Sequence, residues 1–138
     1  MDVQVAALCD SAADYGGKLC LLGVFDTIGV RQLPAVHHHC SIAVRVVFHA
    51  GEEGKHQVKL TLIDEDGRSL LPKIEPVMDV KMPENMFFAS SNLVFNLQGM
   101  RFEKAGHFSI DISIDGKIVA RIPLQVVLLA PPPGAEPA

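Results

Sequence analysis

Alternation of apolar and polar residues with a period of two is the feature that most constrains this chain. The clearest case is residues 107–115, where Phe108, Ile110, Ile112 and Ile114 interleave with polar side chains and an Asp-Gly pair follows. Side chains of a strand point alternately to the two faces of a sheet, and Asp-Gly is a favoured two-residue hairpin turn. The pattern predicts a β-hairpin with one buried and one solvated face, whose second strand runs to about residue 128.

Other segments carry the same signal. Residues 40–49, 58–63 and 92–97 alternate and predict strands, and residues 69–74 are expected to pair back onto 58–63 after an acidic turn. Residues 77–82 lie between prolines, which remove ladder donors, and predict an edge strand or an irregular segment. Pro123 falls on the outer phase of the last strand and indicates an edge or a bulge. Residues 3–8 predict a first strand, with a short helix open as an alternative, and residues 85–88 predict one helical turn.

Residues 19–28 are different, because they are apolar on both faces as far as Phe25. A strand of this kind is either central in its sheet or covered by another part of the structure. The preceding Tyr15-Gly16-Gly17-Lys18 sequence predicts a tight turn.

These segments together predict an all-β fold. Eight or nine short strands, with turn signals about a dozen residues apart and no long helix-period segment, indicate a two-layer antiparallel β-sandwich, immunoglobulin-like or related, in preference to a closed barrel. We expect one domain over residues 1–129, followed by a proline-rich tail over 130–138 that is disordered or extended.

Composition excludes several function classes. A net charge of -4 argues against nucleic acid as a partner, because binding to a phosphate backbone depends on clusters of Lys and Arg. No apolar run approaches the roughly 20 residues of a membrane-spanning helix. The first residues carry an acid where a secretion signal carries a base, and three cysteines suit buried reduced thiols. We therefore expect a cytoplasmic protein with no nucleic-acid and no membrane partner.

Two groups of residues could supply metal ligands, but each has a simpler structural explanation. Three consecutive histidines precede Cys40, but in an extended segment only His37 and His39 point the same way, so a surface loop entering a strand is the favoured interpretation. Asp64 and Asp66 stand with Glu65 beside a turn glycine, Gly67, as in some calcium loops, although a hairpin turn accounts for these residue types without any ion. We expect no cofactor.

Catalytic motifs are not found in the sequence. Ser109, His107 and Asp111 project from one solvated strand face, which supplies neither a strained turn nor an oxyanion hole. The sequence indicates a protein that is not an enzyme.

A surplus of apolar residues on outward phases is more informative. One monomeric sandwich buries only one face of each sheet, so these side chains call for a second covering layer. Self-association, or association with another protein, through this surface is the favoured explanation, and coverage by the chain's own residues 29–39 is the alternative. The expected interface residues are Cys20, Leu22, Val24, Val119, Val127 and Leu129.

Several turn and strand residues also resemble a known family. They are Cys9-Asp10, Gly17-Lys18, the segment from Gly23 to Ile28, the Asp64 to Gly67 turn, and Phe102-Glu103-Lys104 with Gly106. From residue 1 to about 127 the chain resembles a family of short uncharacterised bacterial proteins. The resemblance implies a bacterial all-β protein of unknown activity and carries over no ligand or catalytic residue.

The sequence thus favours a non-enzymatic interaction or assembly module that self-associates through an apolar sheet face. The alternatives are a ligand- or metal-binding sandwich that uses the loops at one end, and a small enzyme built around residues 37–39.

Overall fold

Nine β-strands in two sheets make up the computed structural model, which describes residues 1–130. Within those residues there is no helix, and the expected tail over 130–138 lies almost wholly outside them. The strands are β1 (Asp2–Tyr15), β2 (Lys18–Val24), β3 (Thr27–Val30), β4 (Ala35–His49), β5 (Gly54–Ile63), β6 (Val77–Val80), β7 (Phe88–Phe102), β8 (Gly106–Ile114) and β9 (Lys117–Leu128).

The strand order is that of an immunoglobulin-like sandwich. One sheet has the order β2-β1-β4-β7 and the other β3-β9-β8-β5-β6. Without β2, the first sheet has strands in the A, B and E positions of that fold, and the second has its C, F and G strands adjacent in β5, β8 and β9. All pairs are antiparallel except β3 with β9. The prediction of a two-layer all-β sandwich with eight or nine strands is confirmed.

The core lies between the two sheets and is built from the alternating positions. Ile110, Ile112 and Ile114 of β8 are fully buried, and they meet the inward side of β4, where Phe48 and its alternate neighbours are also fully buried. Burial of side chains of this size stabilises a fold by about 1.5–3 kcal/mol each. The period-two pattern thus places the dry face of each sheet as expected.

The segment 19–28 is not one strand, and the expectation that it is central in a sheet is wrong. It divides after Val24, so that β2 lies at the edge of the first sheet and β3 at the edge of the second. The division coincides with Gly23, whose φ is +70°, and with Phe25, whose amide donates to the carbonyl of Leu8. The β2 strand therefore has a ladder partner on one side only within residues 1–130.

Two other expectations hold only in part or not at all. Residues 69–74 pair back onto β5 as expected, but only through isolated bridges from Ser69 to Ile63 and from Ile74 to Leu60, because Pro72 interrupts a continuous ladder. Residues 85–88 contain no helical turn; the amide of Met86 donates to the carbonyl of Pro83 in a simple turn. The edge strand near residue 77 is confirmed as β6.

The outer phase of β9 differs from the sequence pattern at its start. The β8–β9 ladder shifts register between Ile112 and Ser113, opposite residues 118–120. As a result Val119 packs against the core, although it was expected on the outer face, and Ile118 is exposed instead. Pro123 lies before β3 begins to pair with β9 at Gln125, so its missing N–H faces an unpaired edge as expected.

Candidate functional site

The β1–β2 hairpin is the most unusual element of the surface. Gly16 and Gly17 occupy its two-residue turn with φ of +58° and +82°, the combination that a type I′ turn requires, and the Gly17 amide donates to Oδ1 of Asp14 at 2.8 Å. The turn predicted from the Tyr15-Gly16-Gly17-Lys18 sequence is therefore confirmed.

This hairpin folds back over the outer face of its own sheet. Nη1 of Arg45 donates to the carbonyl oxygen of Gly17 at 3.0 Å, and Nδ2 of Asn92 donates to the same oxygen and to Oδ2 of Asp14, both at 3.2 Å. Arg45 belongs to β4 and Asn92 to β7, where the two residues are directly opposite each other. The hairpin tip is thus held by two strands that it does not pair with.

The register shows that the fold-back is required. The β1 strand leaves β4 after Cys9, which is opposite Ser41. Had β1 continued straight, the eight residues to Gly17 would carry the tip roughly 26 Å further, at 3.3 Å per residue, and away from Arg45. Contact between Gly17 and Arg45 is possible only because the hairpin reverses near Asp10 and Gly23. The β1–β2 ladder has no pairing between those two residues.

The reversal explains why outward-facing residues of the first sheet are dry. Cys9, Ser41 and Ala43 alternate with core residues and point away from the core, yet all three are fully buried. The second face of this sheet is therefore partly covered by the chain itself. The covering segment is the hairpin and not residues 29–39, which instead form β3 and the approach to β4.

The hairpin is partly buried on one side only. On the side of Asp14, Ala12 and Leu19 are half-buried and Leu21 is 36% exposed, whereas the other side is open to solvent. Leu22 is 70% exposed and Val24 63%. We call the solvent side the hairpin face; it consists of Ser11, Ala13, Cys20, Leu22 and Val24.

The remaining expected interface residues do not join the hairpin face. Val119 packs against the core, as described above. Val127 is half-buried, and Leu129, which is exposed, lies beside Gly29 at the end of the β3–β9 pair. The structure thus brings together Cys20, Leu22 and Val24 and places the other three elsewhere.

The histidine segment does not assemble a metal site. Among residues 1–130 there is no group of three or more His, Cys, Asp or Glu side chains placed to hold a metal ion. His37 is half-buried beside Phe25, with ring centroids 5.6 Å apart, and its Nε2 has no hydrogen-bond partner in the described structure, whereas His39 is exposed. His37 is turned towards the core side because the β4–β7 pair changes phase near Gly99, whose φ is +63°.

The carboxylates of the acidic loop accept hydrogen bonds from backbone amides, within the loop and from β8. Oδ1 of Asp64 accepts from the amides of Asp66 and Arg68, each at 2.9 Å, and Oε1 of Glu65 accepts from the amide of His107 at 2.9 Å. Two cavities beside this loop have volumes of about 110 and 210 Å³. Sites for small molecules usually measure roughly 300–1,000 Å³. The geometry favours the turn interpretation of Asp64 and Asp66.

The polar residues of β8 do not form a catalytic arrangement either. Oγ of Ser109 donates to Oδ1 of Asp111 at 2.6 Å, so the hydroxyl pairs with the carboxylate and not with an imidazole. His107 lies opposite Gln125 in the β8–β9 ladder. Ser109 therefore lacks the imidazole partner of a Ser-His-Asp arrangement, and its hydroxyl is paired with a carboxylate alone.

Two features were not found from the sequence. The first is a cluster that joins the β4–β5 and β8–β9 turns: Nε2 of His56 lies 2.7 Å from the carbonyl oxygen of Glu52, and Nδ1 lies 2.6 Å from Oδ2 of Asp115. These two acceptors, in that order, raise the pKa of His56, and the histidine lowers the pKa of Asp115. The cluster joins residues 59 positions apart, so no local pattern could have indicated it.

The second feature is an apolar loop ahead of β7. Met86, Phe87 and Phe88 are all exposed, and Phe87 is 91% exposed. The sequence signal is three consecutive large apolar residues after a proline-containing turn, a local pattern that also fits a helical turn.

Comparisons with known proteins place the chain in a family without assigning a function. A family model described as a family of unknown function (DUF6941) matches residues 4–127. A solved structure of the alkylpurine DNA glycosylase AlkC from Pseudomonas fluorescens, bound to DNA containing an abasic site analog, is similar with a TM-score of 0.51 and 9% identity. That similarity covers 91% of this chain and 30% of the glycosylase chain, and it shows the fold alone.

No curated protein matches the chain significantly. In the part of the chain that the structure describes, no helix has the length and apolar character needed to cross a bilayer.

Proposed function

We propose a function from the molecular surface, because the chain belongs to the family DUF6941, whose function is unknown. The domain is a protein-interaction module that self-associates through the hairpin face. The observation that carries the proposal is the exposure of Leu22 and Val24 on an edge strand that has no charged side chain after Lys18. Edge strands of monomeric proteins are ordinarily protected by charges, prolines or bulges, and β2 is protected only by the irregularity at Gly23.

Charge also favours a second copy as the partner. The hairpin face contains no ionisable group except the thiol of Cys20, so two copies can meet there without bringing like charges together. A two-fold arrangement lets the same patch serve both protomers. The three unpaired cysteines support residence in a reducing compartment, and we include the cytoplasm in the proposal.

The size of the hairpin face sets the expected strength. Two strands of five residues, at about 3.3 Å per residue and 4.8 Å between strands, present roughly 160 Å². Stable interfaces bury about 800 Å² on each partner. The hairpin face alone provides about a fifth of that area, so we expect a weak dimer that forms only at high concentration and needs contacts beyond this face, not a permanent dimer.

The test is light scattering after size-exclusion chromatography over a wide dilution series. The double substitution Leu22→Ser with Val24→Ser should shift the equilibrium to monomer. Val77→Ser is the matched control, because Val77 is 58% exposed on β6, the edge strand of the other sheet. A parent protein that is monomeric at every concentration, or a control that dissociates the dimer equally, would contradict the proposal.

A further inference from the structure

The surface beneath residues 10–23 of the hairpin is held together by its own hydrogen bonds; we call this surface the receptor. Arg45 and Asn92, which hold the tip, belong to β4 and β7, and Nη1 of Arg45 also donates to Oδ1 of Asn92 at 2.7 Å, which fixes both side chains. Oε1 of Gln4 and Oγ of Ser90 accept from the same guanidinium at 2.7 and 3.0 Å. These contacts orient the receptor whichever hairpin occupies it.

The hairpin is joined to this receptor by a narrow joint. Between Cys9–Val24 and Ser11–Leu22 the ladder lacks a pair, and at this point Gly23 has a φ of +70°. This φ lies in the left-handed region that favours glycine, and a Cβ on Gly23 would lie 2.5 Å from Oδ2 of Asp10, whose exposed side chain would have to move. Rotation of a few dihedrals at this joint would release the hairpin as a unit.

We infer that the β1–β2 hairpin is an exchangeable arm, which in the dimer occupies the receptor of a second copy. The inference rests on the proposed self-association and specifies how it takes place. We take a second copy as the partner because its hairpin is identical to the one that the receptor already binds. In the closed chain Arg45 and Asn92 donate to the Gly17 carbonyl, and Asn92 also donates to Asp14. Exchange of an identical element reproduces each of these contacts between protomers.

The free-energy balance of exchange depends on the hairpin face. A tethered hairpin competes at an effective concentration on the order of millimolar, which puts exchange at micromolar protein at a disadvantage of about 1,000-fold. Contacts that exist only in the dimer must offset this. Crossed hairpins bring the two hairpin faces together at the two-fold axis, where Leu22 and Val24 leave solvent. The arm–receptor contacts are the same in monomer and dimer, so this additional apolar burial must supply the offset.

Cross-linking tests the exchange directly. Lys18→Cys and Ser90→Cys, which leave Asp14, Asn92 and Arg45 in place, are introduced with Cys20→Ser, which removes the exposed native thiol and leaves Cys9 and Cys40 buried. The protein is treated with a short bismaleimide at concentrations where light scattering detects dimer and where it does not. The products are then separated under denaturing conditions. Copies that carry only one of the two new cysteines serve as controls, alone and mixed.

Exchange predicts a covalent dimer at high concentration, internally linked monomer on dilution, and a covalent heterodimer when the two single-cysteine proteins are mixed. A dimer by light scattering that gives only internally linked monomer overturns exchange and leaves the proposed function standing. Absence of dimer at any concentration overturns both. The pair Asp14→Cys with Ser90→Cys, which keeps Arg45 and Asn92 on the Gly17 carbonyl, repeats the test if the first variant does not fold.

Discussion

Replacing Asn92 by alanine should loosen the hairpin without damaging the core. Nδ2 of Asn92 makes two hydrogen bonds to the hairpin, one to Gly17 and one to Asp14, both at 3.2 Å and both at the surface. A hydrogen bond of this kind contributes about 0.5–1 kcal/mol net, so the closed state should lose about 1–2 kcal/mol. That loss raises the population of open hairpin by roughly 5–30-fold.

The native cysteines report this opening. Cys20 is exposed, Cys9 is buried under the fold-back, and Cys40 is buried in the core between the sheets. Burial raises the pKa of both Cys9 and Cys40, the latter to about 11, so both thiols react slowly in the closed state. Maleimide labelling followed by peptide mass spectrometry should show Cys9 reacting roughly 5–30-fold faster in Asn92→Ala, because reaction follows the open population.

The control separates local from global opening. Asn85→Ala removes an exposed asparagine from the turn before β7 and should leave Cys9 labelling unchanged. Labelling of Cys40 should rise far less than that of Cys9 in Asn92→Ala. Equal rates for Cys9 in the parent and in Asn92→Ala, or Cys9 in the parent reacting as fast as Cys20, would refute the fold-back as the cause of its burial.

Three further outcomes are expected. Phe48→Ala, which empties a fully buried position, should lower the free energy of unfolding by about 3–5 kcal/mol in urea titrations, whereas Phe87→Ala at a 91% exposed position should change it by less than about 0.5 kcal/mol. Gly23→Ala and Gly99→Ala should both lower the free energy of unfolding by about 1 kcal/mol in the same assay, because both residues have a positive φ that a Cβ disfavours. The pKa of His56 is raised above its ordinary value of about 6.5, so its stabilisation is complete below that pH and is lost as pH rises through the raised value; thermal unfolding of His56→Gln should lack this decline.

The sandwich was predictable because its signal is local. Alternation at Ile110, Ile112 and Ile114 states which side of β8 is dry, and the same rule applies to β4 and β5. Glycines and Asp-Gly pairs then mark where each strand turns. The pattern failed where the backbone changes phase, at Gly99 and at the bulge beside Val119, because one extra residue or one positive φ reverses the side that faces the core.

The candidate site was only partly predictable. Leu22 and Val24 were identified as surplus apolar residues, and the twin glycines as a turn. The fold-back itself depends on Arg45 and Asn92, which lie 28 and 75 residues from Gly17 in the chain and contact its backbone carbonyl. A carbonyl group is the same in every residue, so the sequence carries no mark of which one is bound.

Amide hydrogen exchange at increasing protein concentration tests the central claim most directly, because it locates self-association as well as detecting it. Slower exchange confined to residues 18–24, growing as concentration rises and lost in Leu22→Ser with Val24→Ser, is the result that the account predicts. Exchange in β2 that is independent of concentration, or protection that grows at β6 or at residues 86–88 instead, would contradict it.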